Sequence, residues 1–290
     1  MNIKKVEMIA TPREPHFVGD GFRVHNYIPS YPRMDMIRMD PFIMLDYNAR
    51  YHFPGSEYPK GVGVHPHRGF ETVTIAYKGR IEHRDSGGGG GIIGEGDVQW
   101  MTAASGVLHK EFHEAEWSKG GGDFQMVQLW VNLPAKFKMT EPKYQAISHT
   151  EMVTADLGSN GLVEVIAGSF RGLQGPANTF TPVHLMNAML RPGGKVDFSF
   201  PENFATGALI IEGKVKVNGS EVADIDQFVL FEKTGTTLIL EAMAESKVLI
   251  LSGEPLLEPI AAHGPFVMNT REELQKAYMD FNTGKFGYLE

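Results

Sequence analysis

The sequence predicts an all-β protein made of two similar antiparallel units, each a sandwich or barrel, with one short helix near the C-terminal end. Three observations predict this: short β-rich segments, dense turn punctuation, and a faint internal repeat. Thr72-Val73-Thr74-Ile75-Ala76-Tyr77, 124–133, Lys214-Val215-Lys216-Val217 and 247–251 are short, partly alternating and rich in β-branched or aromatic residues. Between such segments fall many of the 33 glycines and 17 prolines, as at Gly61-Val62-Gly63, Lys78-Gly79, Arg191-Pro192-Gly193-Gly194 and Asn218-Gly219. Many short strands with frequent turns favour a sandwich or barrel over alternating βαβ units.

The repeat aligns Gly79-Arg80-Ile81-Glu82-His83 with Gly213-Lys214-Val215-Lys216-Val217, 134 residues later. At that offset Phe70-Glu71-Thr72 falls on Phe204-Ala205-Thr206. With a longer loop in the first copy, Gly96-Asp97-Val98-Gln99-Trp100-Met101 meets Asp226-Gln227-Phe228-Val229-Leu230-Phe231. Two units follow, 1–140 and 141–290, with the boundary within 136–160, near Pro134 and Pro142. The helix is signalled by Thr270-Arg271-Glu272-Glu273, a capping box, after which Leu274, Ala277, Tyr278 and Phe281 share one face. It is expected to pack, with no functional role.

Composition removes several chemistries. With no cysteine, a disulfide framework, a zinc ribbon, an iron–sulfur cluster and a thiol nucleophile are excluded, so a metal would need His, carboxylate or Met ligands. A net charge of −8 opposes direct nucleic-acid binding and polybasic membrane attachment. The N-terminal residues lack the apolar run of a signal peptide, and no apolar stretch is long enough to span a bilayer. The expected location is cytoplasmic, and the expected state a monomer.

Five of the eleven histidines, His65, His67, His83, His109 and His113, lie within 49 residues, where an even spread would put about two. His65-Pro66-His67 presents both imidazoles on one face of an extended strand, and Pro66 suits a strand start or edge. Leu108-His109-Lys110-Glu111 repeats the spacing with an imidazole and a carboxylate. Two neighbouring strands facing inward would bring His65, His67, His109 and Glu111 together, a set suited to Fe(II), Mn(II), Co(II), Ni(II), Cu(II) or Zn(II). In the alternative, His65 and His67 are loop residues and His109 a polar residue near a strand end.

The pattern Gly63-x-His65-x-His67, Glu71, Gly79, Gly96-Asp97 and Gly106-x-x-His109 resembles the two short motifs of the cupin superfamily. The resemblance is closer to one branch, the pirins. It is carried by 65–73, 96–103, Gln128-Leu129-Trp130-Val131-Asn132-Leu133, Asp40-Pro41-Phe42 with Leu45-Asp46, and 264–270. It implies a bicupin: two cupin-type antiparallel β-barrel domains, with one metal in the N-terminal one. Pirins bind that metal with three His and one Glu, which match His65, His67, His109 and Glu111. Glu71 stands where many cupins place a carboxylate ligand and is expected to be structural or to support the ligands. His113 continues the period-two series and is a minor candidate as substitute ligand or proton carrier. Ser86-Gly87-Gly88-Gly89-Gly90-Gly91 lacks the Lys-Ser/Thr of a phosphate loop and reads as a flexible hairpin connection.

At the 134-residue offset His65 and His67 fall on Ser199 and Pro201, and the stretch facing His109 and Glu111 is the apolar Leu238-Ile239-Leu240. A degenerate second domain is expected, with one divalent metal per chain, Fe(II) foremost. The resemblance implies a dioxygenase of quercetin 2,3-dioxygenase type, opening a flavonol-like substrate with O2 and releasing carbon monoxide, with Glu111 as ligand and proton acceptor. The rival it implies is a metal- or redox-dependent regulator that binds a transcription factor or a metabolic enzyme as its protein partner.

Overall fold

The computed structural model describes residues 2–290. Two compact units account for the described residues: one holds 2–13, 30–41 and 150–255, the other 14–29, 42–149 and 256–290. This differs from a single cut after residue 140. The strand Val6–Ala10 pairs with Phe228–Phe231, and the helix Arg271–Asn282 belongs with residues 42–149. A sheet edge takes whatever strand satisfies its open N–H and C=O groups, and nearness in the chain is irrelevant to that.

In the unit containing residues 42–149, a seven-stranded antiparallel sheet runs in the order Lys143–Ile147, Val98–Thr102, Phe70–Lys78, Gly121–Asn132, Phe42–Pro54, Phe22–Ile28, His16–Val18. A four-stranded sheet, Gly61–His67, Val107–His113, Ile81–Asp85, Gly90–Ile93, faces it. Apolar clusters lie within this unit: Phe22, Phe53, Ile81, Ile93 and Phe124 in one, Met101, Ala103 and Val107 in another.

The other unit repeats the plan. Its seven strands follow the order Val6–Ala10, Phe228–Phe231, Ala205–Glu212, Ser246–Gly253, Val183–Leu190, Gly161–Ala167, Val153–Asp156. Its small sheet is Lys195–Ser199, Thr237–Ala242, Lys214–Val217, Glu221–Asp224. The aligned turn glycines, Gly79 and Gly213, both have left-handed φ, +85° and +80°, which a side chain rarely adopts. Val196, Phe198, Val215, Val217, Leu238 and Leu240 fill the second interior as apolar core.

Thr270 caps the C-terminal helix as the sequence predicts: its side chain accepts from Glu273 N, and the Glu273 carboxylate returns the bond. Leu274, Ala277 and Tyr278 pack on one apolar cluster as the sequence predicts, and the departure is the inward-facing Asp280. Ala277 and Asp280 are buried, whereas Phe281 is 36% exposed. Asp280 turns inward because Arg68 Nη1 lies 2.9 Å from its Oδ2. Phe266, Ala277 and Phe286 form the apolar contact beside that pair. No helix among the described residues is long and apolar enough to cross a membrane.

Candidate metal centre

His65 and His67 lie on the edge strand of the four-stranded sheet, where Pro66 is tolerated because one side of the strand has no ladder to break. The neighbouring strand pairs His109 with His65 and Val107 with His67, and the register slips between His109 and Glu111. The His65 and His109 ring centres are 4.1 Å apart, His67 and His109 4.7 Å, and His65 and His67 4.9 Å. One nitrogen from each of these three rings lies within 4.8 Å of the other two.

Two of the rings are oriented by backbone carbonyls. His65 Nδ1 is 2.8 Å from Gly63 O, and His67 Nδ1 is 3.3 Å from Pro265 O. A carbonyl only accepts, so each Nδ1 carries the proton and each Nε2 keeps its lone pair. His109 is fully buried, and its Nε2 has no hydrogen-bond partner. A buried polar atom without a partner is costly unless something else satisfies it, and a cation would do so. On this donor set a divalent metal fits.

Glu111 is 4% exposed and held from the opposite sheet. Its Oε1 accepts from Gln99 Nε2 at 3.1 Å and Thr74 Oγ1 at 3.3 Å, and its Oε2 from Gln128 Nε2 at 2.8 Å. These donors stand abreast on adjacent strands, Thr74 paired with both Gln99 and Gln128, and Asp46 and Asn26 continue the row. Burial pushes the Glu111 pKa up, but the neighbouring His83 and the bond from Gln128 outweigh it and bring the value to about 2. Burial, with the neighbouring His65, lowers His67 to about 3, and burial with the neighbouring rings lowers His109 well below the usual range. The cluster at neutral pH therefore contains an ionised carboxylate beside neutral His67 and His109, the donor states that metal binding needs.

The minor candidates lie elsewhere. Glu71 alternates with Thr72 and Thr74, so it faces away from Glu111, and it accepts from Thr102 Oγ1 at 2.7 Å. Burial, opposed by the Thr102 bond, raises its pKa to about 7. His113 is enclosed by Phe22, Phe53, Trp117 and Phe124, with its Nε2 2.8 Å from Gly21 O. Burial lowers its pKa to about 4, as expected of a histidine in an aromatic core.

The sequence reading missed His83, which is fully buried with its Nδ1 3.5 Å from His109 Nδ1 and 3.8 Å from Glu111 Oε1. Burial opposes its protonation, but the hydrogen bond to Asp85 and the nearby Glu111 carboxylate prevail and raise its pKa. His83, His109 and Glu111 form a second group of convergent ligand atoms. The same period-two rule that found the other pairs would have flagged His83 with Asp85. Gln99 and Gln128 carried no signal beyond alternation within their strands.

Two β units of the same plan, one holding three imidazoles and a carboxylate, define a two-domain cupin-type protein with a potential metal site. The chain belongs to the pirin family: the Pirin model matches residues 21–131, and the Pirin C-terminal cupin domain model matches 185–287. A Pseudomonas aeruginosa protein provisionally named a quercetin 2,3-dioxygenase is 44% identical over 98% of this chain and 99% of its own length. Pirin-like protein 2 of Arabidopsis thaliana is 38% identical over 93% of this chain and 82% of its own length. The crystal structure of quercetin 2,3-dioxygenase from Acinetobacter baumannii superposes with a TM-score of 0.93 at 46% identity, covering 99% of this chain and all of that one.

Proposed function

We propose that the protein is a metal-dependent dioxygenase of the quercetin 2,3-dioxygenase type, with one metal per chain held by His65, His67, His109 and Glu111. The observation that carries the reading is the unpartnered, fully buried His109 Nε2 beside two histidines whose Nδ1 atoms are tied to carbonyls. Full-length likeness to the Acinetobacter dioxygenase supports the substrate class, a flavonol-like molecule with O2. Fe(II) is the metal we favour, and Mn, Co, Ni, Cu or Zn would also suit three imidazoles and a carboxylate. When bound, Fe(II) would supply Lewis-acid and one-electron redox chemistry, whereas Zn would supply only the former.

The protein's own groups set the rest. With a pKa near 2, Glu111 serves first as an anionic ligand. Its Oε2, which accepts one bond, from Gln128, keeps a second lone pair with which to take the 3-hydroxyl proton of a flavonol. Trp130 stacks on Phe70 at 4.2 Å and meets His67 edge-on at 5.0 Å, an aromatic wall for a planar substrate. Thr72 Oγ1 and Trp130 Nε1, on paired residues, are buried without partners and offer hydrogen bonds to substrate oxygens. The second barrel, filled with apolar side chains, serves as a structural domain. The net charge of −8 supports a protein that acts without nucleic acid, and we assign it to the cytosol as a monomer.

The test is to load metal-free protein anaerobically with Fe(II), add quercetin and air, and measure carbon monoxide and flavonol loss beside His65→Ala. Turnover no greater than in that variant would remove the flavonol dioxygenase reading.

A further inference from the structure

We propose that the glycine-rich hairpin 86–91 is a positioning device for the metal centre: it presents Asp85 to His83, and His83 fixes the proton of His109 on Nδ1 so that Nε2 faces the metal. The inference rests on the metal reading above and gives the glycine run a purpose that no phosphate-loop or linker role supplies.

The chain of contacts is continuous. His83 lies on Ile81–Asp85, beside the ligand strand, with Glu111 opposite His83 and His109 opposite Asp85. Asp85 Oδ1 accepts from Gly87 N and Gly89 N, both at 2.8 Å, which leaves Oδ2 for His83 Nε2 at 3.5 Å. An ionised carboxylate only accepts, so His83 Nε2 carries hydrogen, and in the neutral ring Nδ1 is the acceptor. Gln99 agrees with that tautomer, since its Nε2 donates to His83 Nδ1 at 2.9 Å. Tyr144 OH donates to Gln99 Oε1 at 3.4 Å and so orients the amide. His109 Nδ1, 3.5 Å from the same His83 atom, faces a nitrogen without hydrogen, so its own proton on Nδ1 makes it the second and longer donor to the lone pair that Gln99 also uses. The lone pair of His109 is thereby placed on Nε2, the unpartnered atom.

The hairpin sequence is fitted to this task. A Cβ on Gly89 would come within 2.3 Å of Asp85 Oδ2 and 2.7 Å of Tyr144 Cβ, so only glycine brings the backbone that close. The Tyr144 ring stacks on His83 at 5.3 Å and holds it from the other side. His65 and His67 are thus oriented by neutral carbonyls, and His109 by an anion acting through an imidazole. A carboxylate behind a ligand histidine raises the basicity of the ligand nitrogen, and losing such support typically costs about 10–100-fold in metal affinity.

Co(II) binding to the full-length protein, read by chelator competition and by the visible d–d absorption, tests this without substrate. Asp85→Asn is the main variant. Its amide oxygen stays on the two glycine N–H groups, which turns its NH2 toward His83 and reverses the His83 tautomer. We expect Asp85→Asn and His83→Ala to weaken Co(II) binding about 10–100-fold and to shift the d–d band, with one Co(II) per chain still reached at saturation. Gly89→Ala should move in the same direction. His83→Gln, whose amide oxygen can accept from His109 Nδ1, should return to within about tenfold of wild type. Urea unfolding of each metal-free variant separates this role from a merely structural one, which would lower the midpoint and leave the d–d band in place. Wild-type affinity and an unshifted band in Asp85→Asn and His83→Ala would overturn the inference alone. So would loss of a second, His83-dependent Co(II) equivalent, which would make His83 a ligand. No Co(II) binding by the wild type would overturn the metal reading itself.

Discussion

Replacing Asp280 by alanine should destabilise the metal-binding unit by about 3 kcal/mol, because it strips a buried arginine of its counter-charge. Arg68 is 3% exposed and Asp280 5%. Breaking one side of a buried ion pair costs about 3–5 kcal/mol, since the remaining charge is left in low dielectric. Lys276 and Lys285 also reach Asp280, but both are mostly exposed and return to water at little cost. Arg68 would keep its Nε bond to Ser105 O at 2.6 Å and its place 4.7 Å above the Phe286 ring, so the lower end of the range applies. Asp280→Asn keeps an acceptor and should cost less, about 1–2 kcal/mol. Urea unfolding followed by tryptophan fluorescence reads this unit selectively, because Trp100, Trp117 and Trp130 all lie in it. With a urea slope of about 2–3 kcal/mol/M, the alanine variant should unfold about 1 M earlier. The bond from Lys285, with those from Arg68 and Lys276, holds the Asp280 pKa well below the carboxylate range despite its burial. A depressed acid stabilises above its unfolded pKa and loses that effect as pH falls, so the gap between wild type and variant should narrow below about pH 4. Pro265, which orients His67, lies in the same C-terminal segment, so metal affinity should fall about tenfold as well. A midpoint shift under about 0.2 M at neutral pH would refute the reasoning, since a slope of that size makes it less than 1 kcal/mol.

Glu111→Gln removes the proposed anionic ligand and points an amide at the Gln99, Thr74 and Gln128 donors, so metal content after dialysis should fall more than about tenfold, as atomic absorption would show. Glu71→Gln should leave metal content unchanged, because that side chain faces away from the centre. It should also flatten the pH dependence of stability. A buried acid raised to about 7 destabilises the fold as pH climbs from about 4.5, by up to about 3 kcal/mol, and urea curves at pH 5 and 8 would read the loss of that slope. Thr72→Val and Trp130→Phe remove the two unpartnered polar groups and keep the wall apolar. Each should raise KM for a flavonol several-fold with little change in metal content, as steady-state kinetics beside metal analysis would show.

Much of the centre can be recovered from spacing. His65 with His67, and His109 with Glu111, are period-two pairs, and an extended strand puts each pair on one face. Spacing cannot say which strands become neighbours. His83 comes third in sequence and belongs to neither pair, yet its strand lies directly beside that of His109 and Glu111 and it approaches both of those candidate ligands. Glu71 occupies the position where many cupins have a carboxylate ligand and is expected to be structural or to support the ligands; alternation with Thr72 and Thr74 turns it to the face opposite Glu111. His113 continued the series, yet aromatic side chains from other strands close around it.

The sequence by itself determined the β class, the repeat with its paired turn glycines, the capping box at Thr270, and a cysteine-free donor set for any metal. These are local matters of residue chemistry, periodicity and backbone conformation. Only the tertiary structure decided that the first strand joins residues 150–255, that the C-terminal segment supplies the Pro265 carbonyl to His67 and the Asp280 carboxylate to Arg68, and that a glycine hairpin stands behind His109. Those outcomes depend on hydrogen-bond satisfaction and charge pairing between residues far apart in the chain, and no local pattern encodes the partner.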